Sequence, residues 1–495
     1  MERNYFDKIR NIEKLLQGWL YRHMTPYGKI VILKSLALSK LTHIALVVPD
    51  LNKKELQKLE QIFLNFLWSK KVPKVSKNDI LKPQNAGGLA MVDIFSFWQS
   101  LKCSWLRRLL TSDAFWPKII MIELANYNTS LVKVLNSGPS HLQNIANQVK
   151  NKFWKNCFIS LNILSRESAF SNPERFYLFS IFQNPLFKCA GRALPRINFG
   201  NPDHKIQQVS DLFKSSGIFY SLEEINNLYN TTMTQNQLDR IHGAIQAGLA
   251  SLNLNLGRCD WHPAPRQPNI VAIASLNIKG CRAFYRVFRA RANFKDNTAK
   301  IEQKWHLQLN ANLSVTFWNN SWRLHASMQN NNQLKWLQYQ VLRNCLFTNN
   351  RVSKFKPWVS DTCDLCGLHV ETPMTLFSQC HLVQLFWSEI KEYFAFFEHD
   401  LPTNRLSILF GIHTESYNSV KNIAILVGKR TIWISKFRKI PPSIDLFKYF
   451  LKDYLIILSY CHCLKNTSAA FNDQWGTCFW NLRGYHGPQL PPGDG

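Results

Sequence analysis

The sequence predicts a mainly α, multi-domain helical protein that carries one small cysteine-containing module. Apolar residues recur every three or four positions through much of the chain, which is the spacing of one helix face. The 495 residues exceed the roughly 250–300 that usually share a single hydrophobic core, so we expect several units. Of the 12 cysteines, only Cys363, Cys366 and Cys380 cluster at a spacing typical of metal ligands.

The first 70 residues are predicted to form three helices. Thr25 followed by Pro26 is a helix start, because threonine caps helices and proline suits the first helical position. Asn52 with Glu55 three positions later is typical of a capping box, which predicts the start of the third helix. The predicted solvent-facing cations of this segment are Arg22, Lys29, Lys34 and Lys40.

Residues 71–135 are predicted to be a basic connector followed by helices. The adjacent glycines at 87–88 indicate a turn. In the helix predicted at 93–110, Trp98 and Leu109 are expected to point inward and Lys102 toward solvent. The cations that begin the connector are Lys70, Lys71, Lys74 and Lys77.

The middle region, 136–300, has a weaker helical pattern. Residues 184–186 and 194–205 are predicted loops, and the proline-containing stretch 257–269 is a predicted linker. A helix after Cys281 combines an apolar face with a separate basic stripe suited to phosphate contacts, although a solvated amphipathic helix gives the same pattern. The stripe consists of Arg282, Arg286, Arg289 and Arg291.

The last two predicted segments are 301–440, which contains the cysteine module, and 441–495. Helices are predicted at 333–346, 383–397 and 421–437 in the first of them. A final apolar helix is predicted at 444–464, separated from the previous one by two prolines. The stretch 465–495 ends in proline and glycine and is predicted to be a loosely ordered tail.

Charge is the most informative bulk property. The net charge is +28 and the pI is about 9.7, which favours an anionic partner, with RNA or DNA as the first candidate and an anionic membrane as the second. The N-terminus shows no secretory signal, and no apolar run approaches the about 18 residues of a membrane span. We therefore expect an intracellular protein, in nucleus or cytoplasm, with reduced cysteines.

The three clustered cysteines predict a zinc site. Thiolates at this spacing suit tetrahedral Zn²⁺, which needs a fourth ligand if it is structural. His369 is the nearest imidazole between them, and His381 directly follows Cys380. Three buried structural thiols are the alternative interpretation.

Catalytic motifs are missing from the sequence. It contains no adjacent aspartate pair for two-metal nucleotidyl transfer and no phosphate-binding loop of the GxxxxGK[ST] type. Serine, histidine and aspartate show no local catalytic arrangement. We therefore expect a binding protein rather than an enzyme, with no small-molecule substrate.

The order of these features resembles the C-terminal part of LINE-type (non-LTR) reverse transcriptases. The resemblance extends over most of the chain in a shared order. Its first part comprises Trp19, Arg22, Thr25, Gly28-Lys29, Lys34-Ser35, Leu38 to Leu41, Pro49, Phe66-Leu67-Trp68 and Gly87-Gly88-Leu89. Its later part comprises 184–186, Asp211-Leu212, Leu346 to Arg351, the three cysteines, Glu371-Thr372, Leu376-Phe377, Phe386-Trp387, 429–434 and Pro441-Pro442-Ser443.

The resemblance implies a template-primer-binding fragment of a retrotransposon polymerase. Residues 1–70 would be thumb-like, 301–440 would be a reverse transcriptase zinc-binding-like domain, and the catalytic palm would precede residue 1. The family usually has histidine where this chain has Thr375, so the zinc module is degenerate. The alternative function is a basic structural or interaction protein, reused from a transposon, that binds an acidic protein or an anionic membrane.

Overall fold

The computed structural model describes residues 2–111, 114–127, 129, 139–171, 181–182, 187–202, 204–214, 217–250, 281–291, 298–328, 331–416 and 419–484. These residues are mainly helical with almost no strand, which confirms the predicted fold class. The predicted loop at 184–186, the linker at 257–269 and the side chain of Arg291 lie outside the described residues.

Each of two compact units is assembled from separate stretches of the chain. Unit 1 comprises Met1–Gly18, Lys34–Phe63 and Val92–Asn293. Unit 2 comprises Trp19–Leu33, Leu64–Met91 and Phe294–Gly495. The five consecutive segments described above divide the chain by sequence pattern, and that division stays a prediction.

The helices are distributed along the whole described part of the chain. Those of the first 250 residues are α1 (Glu2–Leu20), α2 (Pro26–Ile32), α3 (Ser39–Val47), α4 (Lys53–Leu67), α5 (Lys77–Leu81), α6 (Ile94–Thr111), α7 (Trp116–Ala125), α8 (Pro139–Gln148), α9 (Lys152–Ser171), α10 (Leu222–Tyr229) and α11 (Gln235–Ala250). The later ones are α12 (Arg282–Arg291), α13 (Thr298–Leu309), α14 (Val315–Ser327), α15 (Asn332–Leu342), α16 (Asn349–Val352), α17 (His381–Ala395), α18 (Arg405–Phe410), α19 (Val420–Arg438), α20 (Ile444–Leu464) and α21 (Ser468–Arg483). A π-helical segment, Leu33–Leu38, joins α2 to α3. A two-stranded antiparallel hairpin pairs β1 (Lys188–Cys189) with β2 (Arg192–Ala193).

Unit 1 contains two apolar clusters. In the first, α6, α7, α8, α9 and α12 pack their apolar faces together. Its buried residues include Leu109 of α6, Ile120 of α7, Leu142 of α8, Phe158 of α9 and Phe284 of α12. The second cluster gathers the β1–β2 hairpin, α10 and α11, and its buried residues include Phe187, Leu194, Ile225 and Ile241.

Unit 2 has an aromatic centre built from distant parts of the sequence. Tyr27 of α2 packs its ring edge-on against Tyr339 of α15, with ring centroids 6.1 Å apart. Gly87 adopts a φ of 74°, and a Cβ at this position would come within 3.1 Å of the Trp322 ring. The turn predicted from the adjacent glycines therefore also needs a glycine for close packing.

The predicted helix starts and the last apolar helix are confirmed. The Thr25 hydroxyl accepts a hydrogen bond from the Gly28 amide at 3.5 Å, with Pro26 at the first helical position. Asn52 and Glu55 form the reciprocal capping box, with side chain to backbone distances of 3.0 and 3.1 Å. The helix predicted at 444–464 is α20.

Two sequence-based expectations about the fold were wrong. The predicted loose tail contains α21, whose buried Phe471 and Trp475 supply the apolar face that the prediction overlooked. Lys102 does not face solvent, because its side chain is fully buried beside Asp50 at the end of α3.

One helical stretch, Pro26–Val47, is long and apolar enough by composition to cross a membrane. The core helix of a soluble protein meets the same criterion, and Ile30, Leu33 and Leu41 of this stretch are buried within the protein. Across the described ranges, the structure thus does not indicate a membrane span.

Candidate metal centre and nucleic-acid interface

Cys363 and Cys366 lie in a tight hairpin of unit 2. A bridge between Thr362 and Val370 closes the hairpin, and the Cys363 amide donates to the His369 carbonyl at 2.8 Å. The Gly367 amide donates to the Cys363 carbonyl at 2.8 Å, and Gly367 has a φ of 67°, which favours glycine. The hairpin thus brings the two thiols to one side.

Cys380 reaches the same place from a different element. It ends the π-helical turn Thr375–Gln379 and is the N-cap residue of α17. Its amide donates to the Thr375 carbonyl at 2.9 Å. Its sulfur accepts hydrogen bonds from the backbone amides of Leu382 and Val383, which favour the thiolate.

The three sulfur atoms form one group that is suited to a metal ion. All of them lie within 4.8 Å of one another. Thiolate ligands at about 2.3 Å from a tetrahedral ion stand roughly 3.8 Å apart, so a small closure of the hairpin suffices. Cys363 and Cys380 are buried, and Cys366 is partly accessible. The site therefore fits a metal with three thiolate ligands.

A hydrogen bond between the Cys363 and Cys380 thiols shifts the pKa of both. The pKa of Cys363 is raised, chiefly by its hydrogen bond to the Cys380 sulfur and then by burial. The same hydrogen bond lowers the pKa of Cys380. A proton held by Cys363 therefore stabilises a thiolate on Cys380, and a cation can take the place of that proton.

His369 does not supply the predicted fourth ligand. Its side chain is exposed and its imidazole is not part of the group of ligand atoms. It contributes its backbone carbonyl to the hairpin instead. The buried Thr375 hydroxyl, at the position where the resemblance expects histidine, is hydrogen-bonded to the Thr372 hydroxyl at 3.0 Å. The described residues therefore provide three ligands.

Ion pairs of Lys436 with Glu371 and Asp364 hold the cysteine hairpin against α19. Glu371 is fully buried, and its carboxylate accepts from the Asn349 amide at 2.9 Å and the Asp364 amide at 3.2 Å. Lys436 of α19 reaches Glu371 at 2.8 Å and Asp364 at 2.6 Å. Because these partners are far apart in sequence, sequence reasoning gave no role to Lys436.

The basic connector of unit 2 presents its cations to solvent. Lys70, Lys71 and Lys77 are exposed. Lys74 is half-buried, with its ammonium group 4.8 Å from the centroid of the Phe347 ring. The guanidinium of Arg351 lies 5.4 Å from the centroid of the same ring, so the connector continues into α16 as one positive strip.

Two other predicted cations of unit 2 behave differently. Arg22 is exposed and its guanidinium lies 4.4 Å from the Trp19 ring centroid. Lys29 is buried, which corrects its assignment to the nucleic-acid interface. Its ammonium group donates to the Ser69 hydroxyl at 2.5 Å and to the Leu67 carbonyl at 3.5 Å. It therefore stabilises the end of α4.

Unit 1 holds the remaining predicted cations. Lys34, Lys40, Arg282 and Arg286 are exposed. Arg289 is directed to Asp93, with 3.5 Å between the guanidinium and the carboxylate, so it is less suited to phosphate contact than predicted. Among the described side chains of the predicted α12 stripe, Arg282 and Arg286 are exposed, and their contact with phosphate stays a prediction.

The positive strip continues beyond α16 through two lysines that were not predicted from the sequence. Lys354 and Lys356 are exposed and alternate with Phe355 and Trp358, which are 55% and 78% exposed. Alternation of basic and aromatic residues is a sequence signal for single-strand binding, and here it lies shortly after the Leu346–Arg351 segment.

Comparison with known proteins adds no assignment: no protein-family model and no curated protein sequence matches this chain. The chemistry of the chain must therefore be inferred from its own cysteines, cations and aromatic side chains. Their chemistry consists of a thiol group able to hold a cation and exposed cations beside exposed aromatic rings.

Proposed function

We propose that this chain is a basic nucleic-acid-binding protein, without polymerase activity of its own, that acts inside the cell on RNA or DNA. It corresponds in this proposal to the template-primer-binding part of a LINE-type reverse transcriptase. The observation that carries the proposal is the positive strip of unit 2, defined as Lys70, Lys71, Lys74, Arg351, Lys354 and Lys356.

Crowding of like charges supports an anionic partner for this strip. Burial lowers the pKa of Lys74, and the nearby charges of Arg351 and Lys71 lower it further. Within the described residues, no ion pair is recorded for Lys70, Lys71 or Arg351. A bound phosphate group relieves such repulsion and releases condensed counterions from the nucleic acid.

The exposed aromatic rings favour a nucleic acid over an acidic protein or a membrane surface. Phe355 lies between Lys354 and Lys356 of the strip and Trp358 follows them, and base stacking on such rings contributes about 1–3 kcal/mol per base. Backbone neutralisation and stacking both tolerate any sequence. We therefore expect binding that follows strand shape more than base identity.

Salt dependence tests the proposal. Anisotropy titrations with labelled single-stranded RNA, single-stranded DNA and an RNA–DNA duplex should show affinity falling steeply between about 50 and 200 mM salt. Replacing Phe355 and Trp358 with leucine should weaken single-strand binding more than duplex binding. Affinity that does not change with salt contradicts the proposal.

Competition separates nucleic acid from the alternative partner. Anionic phosphatidylserine vesicles and an acidic polypeptide are added to the RNA complex. We expect RNA to remain bound at lipid and peptide charge concentrations equal to its own. Binding to vesicles alone, or displacement by either competitor at matched charge, overturns the nucleic-acid proposal and supports the interaction-protein alternative.

The proposal also assigns zinc to the cysteine group. Cys363, Cys366 and Cys380 would hold the ion, which would supply a structural crosslink between the hairpin and α17. Protein refolded with zinc should retain one ion per chain and melt at a higher temperature than chelated protein. A Cys366→Ser variant should lose this difference, whereas a variant of the distant Cys463 should keep it. Equal melting with and without zinc contradicts the assignment.

A further inference from the structure

A pocket of about 520 Å³ opens in unit 2 beside the positive strip. One wall is the face of α13 that carries Lys304, Leu307 and Gln308. The other lining residues come from the 344–354 segment and from Thr372 and Pro373, which follow the cysteine hairpin in the sequence. Its volume is within the range of small-ligand sites, about 300–1,000 Å³.

The charged lining of this pocket is entirely positive. Lys304, Arg351 and Lys354 contribute to its walls, and no carboxylate does so among the described residues. Arg351 is held in place by a hydrogen bond to the Asn344 carbonyl at 3.3 Å and by the Phe347 ring. A guanidinium has five N–H donors, so Arg351 retains donors for an oxyanion.

The remaining lining suits the other half of a nucleotide. Leu346, which is buried, and Leu307, which is 77% exposed, both line the pocket, so the two offer apolar surface to a flat ring. Asn350 also lines the pocket, as do Asn344 and Gln308, whose side chains are joined by a 3.3 Å hydrogen bond from the Asn344 amide N–H to the Gln308 carbonyl oxygen. An amide can donate to and accept from a base edge or a ribose hydroxyl.

We propose that this pocket binds a nucleoside phosphate, with the phosphate at Lys304, Arg351 and Lys354 and the base against Leu307 and Leu346. The inference rests on the proposed nucleic-acid function and deepens it. The same chemistry is offered by a free nucleotide and by the phosphorylated end of a strand. Either would occupy a pocket that the positive strip leads into.

Calorimetric titration of the full chain tests the pocket. We expect saturable binding of AMP, weaker binding of inorganic phosphate and little binding of adenosine. Lys304→Gln and Lys354→Gln should each weaken AMP binding roughly three- to tenfold. Lys300→Gln changes an exposed lysine of α13 that neither lines the pocket nor belongs to the positive strip, and should leave AMP affinity unchanged.

Short oligonucleotides identify the source of the ligand. A 5′-phosphorylated trinucleotide that binds more tightly than AMP, and more tightly than its 5′-hydroxyl form, indicates a strand end. A trinucleotide that binds less tightly than AMP indicates a free nucleotide. Both results support the pocket.

Three results overturn the inference: equal affinity for AMP and adenosine, equal affinity for AMP and inorganic phosphate, or equal losses in Lys354→Gln and Lys300→Gln. In each case salt-dependent binding of long RNA is measured in parallel. If long RNA still binds, the pocket inference fails alone. If long RNA also fails to bind, the proposed function fails with it.

Discussion

At the scale of single residues, the main finding is that several lysines of this basic chain are buried. Lys102 donates to the carbonyls of Ala45 and Val48, at the end of α3, at 2.7 and 2.5 Å. Lys335 donates to the Met328 carbonyl, just after α14, at 2.7 Å. The negative end of a helix dipole stabilises such cations. Net charge alone therefore overstates the positive surface of the protein.

Lys429 predicts a specific pH dependence. Burial lowers its pKa to about 7, so between pH 10 and 7 the unfolded chain takes up a proton that the folded chain does not hold. Wild-type stability should therefore fall as pH falls through this window, by at most on the order of 1 kcal/mol per pH unit. Lys429→Met has no proton to take up, so its stability relative to wild type should rise from pH 9.5 to 7.5 in urea denaturation. Lys300→Met, at an exposed site, is the control, and equal curves for the two variants contradict the prediction.

We predict that replacing Lys102 lowers the stability of the protein by an amount that depends on pH. Its ammonium group lies 3.3 Å from the Asp50 carboxylate, whose pKa burial raises to about 6 despite this lysine. Lys102→Met leaves the carboxylate without its partner, which should cost about 3–5 kcal/mol when Asp50 is charged. The loss should grow as pH rises above 6, because below that pH protonation of Asp50 removes the uncompensated charge.

Thermal melts at pH 5 and pH 8 check this expectation for Lys102→Met. The double variant with Asp50→Asn is the control, and it should recover most of the stability at pH 8. A double variant that is as unstable as the single one would show that lost packing, not the buried charge, causes the effect.

At the scale of elements, α17 and α19 approach one another through a glycine. A Cβ on Gly428 would lie 2.5 Å from an atom of the Trp387 ring. Trp387 is itself fixed by a 2.8 Å hydrogen bond from its indole N–H to the Phe377 carbonyl. Because Gly428 has no side chain, α17, whose N-cap is Cys380, can approach α19, which carries Lys436.

Gly428→Ala should destabilise the protein by about 1–3 kcal/mol, although alanine is the better helix former. Gly476→Ala in α21 is the matched control, because its new Cβ has its nearest neighbour at 3.8 Å. That variant should gain up to about 1 kcal/mol. Urea denaturation of both variants measures the two effects, and a stabilised Gly428→Ala would contradict the close approach.

Helices could be predicted from sequence where the signals were local. Thr25-Pro26 and the Asn52–Glu55 capping box fix helix starts within four residues, and the structure confirms both. α21 was missed because the glycine and proline at the chain end outweighed the spacing of Phe471 and Trp475. Lys102 was misplaced because its partners lie about two helices away in sequence, where no local pattern records them.

The candidate site was predictable to a similar degree. Cysteine spacing correctly indicated that the three thiols lie together, because a hairpin and a helix cap are both determined by residues close in sequence. His369 was predicted as a metal ligand because it is close to the cysteines in sequence, but closeness in sequence does not determine where an imidazole ring points. Glu371 and Lys436 form their ion pair across many residues, so their support of the hairpin needed a structure.

At the scale of the whole molecule, structural and binding lysines should separate experimentally. Lys29→Met removes donors to Ser69 and Leu67 and should lower stability by about 1–3 kcal/mol without changing RNA affinity. Lys71→Gln changes an exposed side chain, so stability should stay within about 0.5 kcal/mol. Its RNA affinity should fall, with a salt slope smaller by about one.

Urea denaturation and anisotropy titration of the same two preparations provide the measurements. The wild type in each assay sets the reference, and binding is measured where both variants are fully folded. If Lys29→Met loses affinity at full foldedness while Lys71→Gln does not, the assignment of the positive strip is wrong.

The interleaving of the two units has a consequence during synthesis. Trp19–Leu33 and Leu64–Met91 leave the ribosome long before Phe294–Gly495, yet all three belong to unit 2. Tyr27 and Gly87 can therefore pack only after Trp322 and Tyr339 have been synthesised, and their apolar surroundings stay exposed to solvent until then. Such late closure makes nascent chains prone to aggregation, so we expect yield to depend on chaperone supply and translation speed.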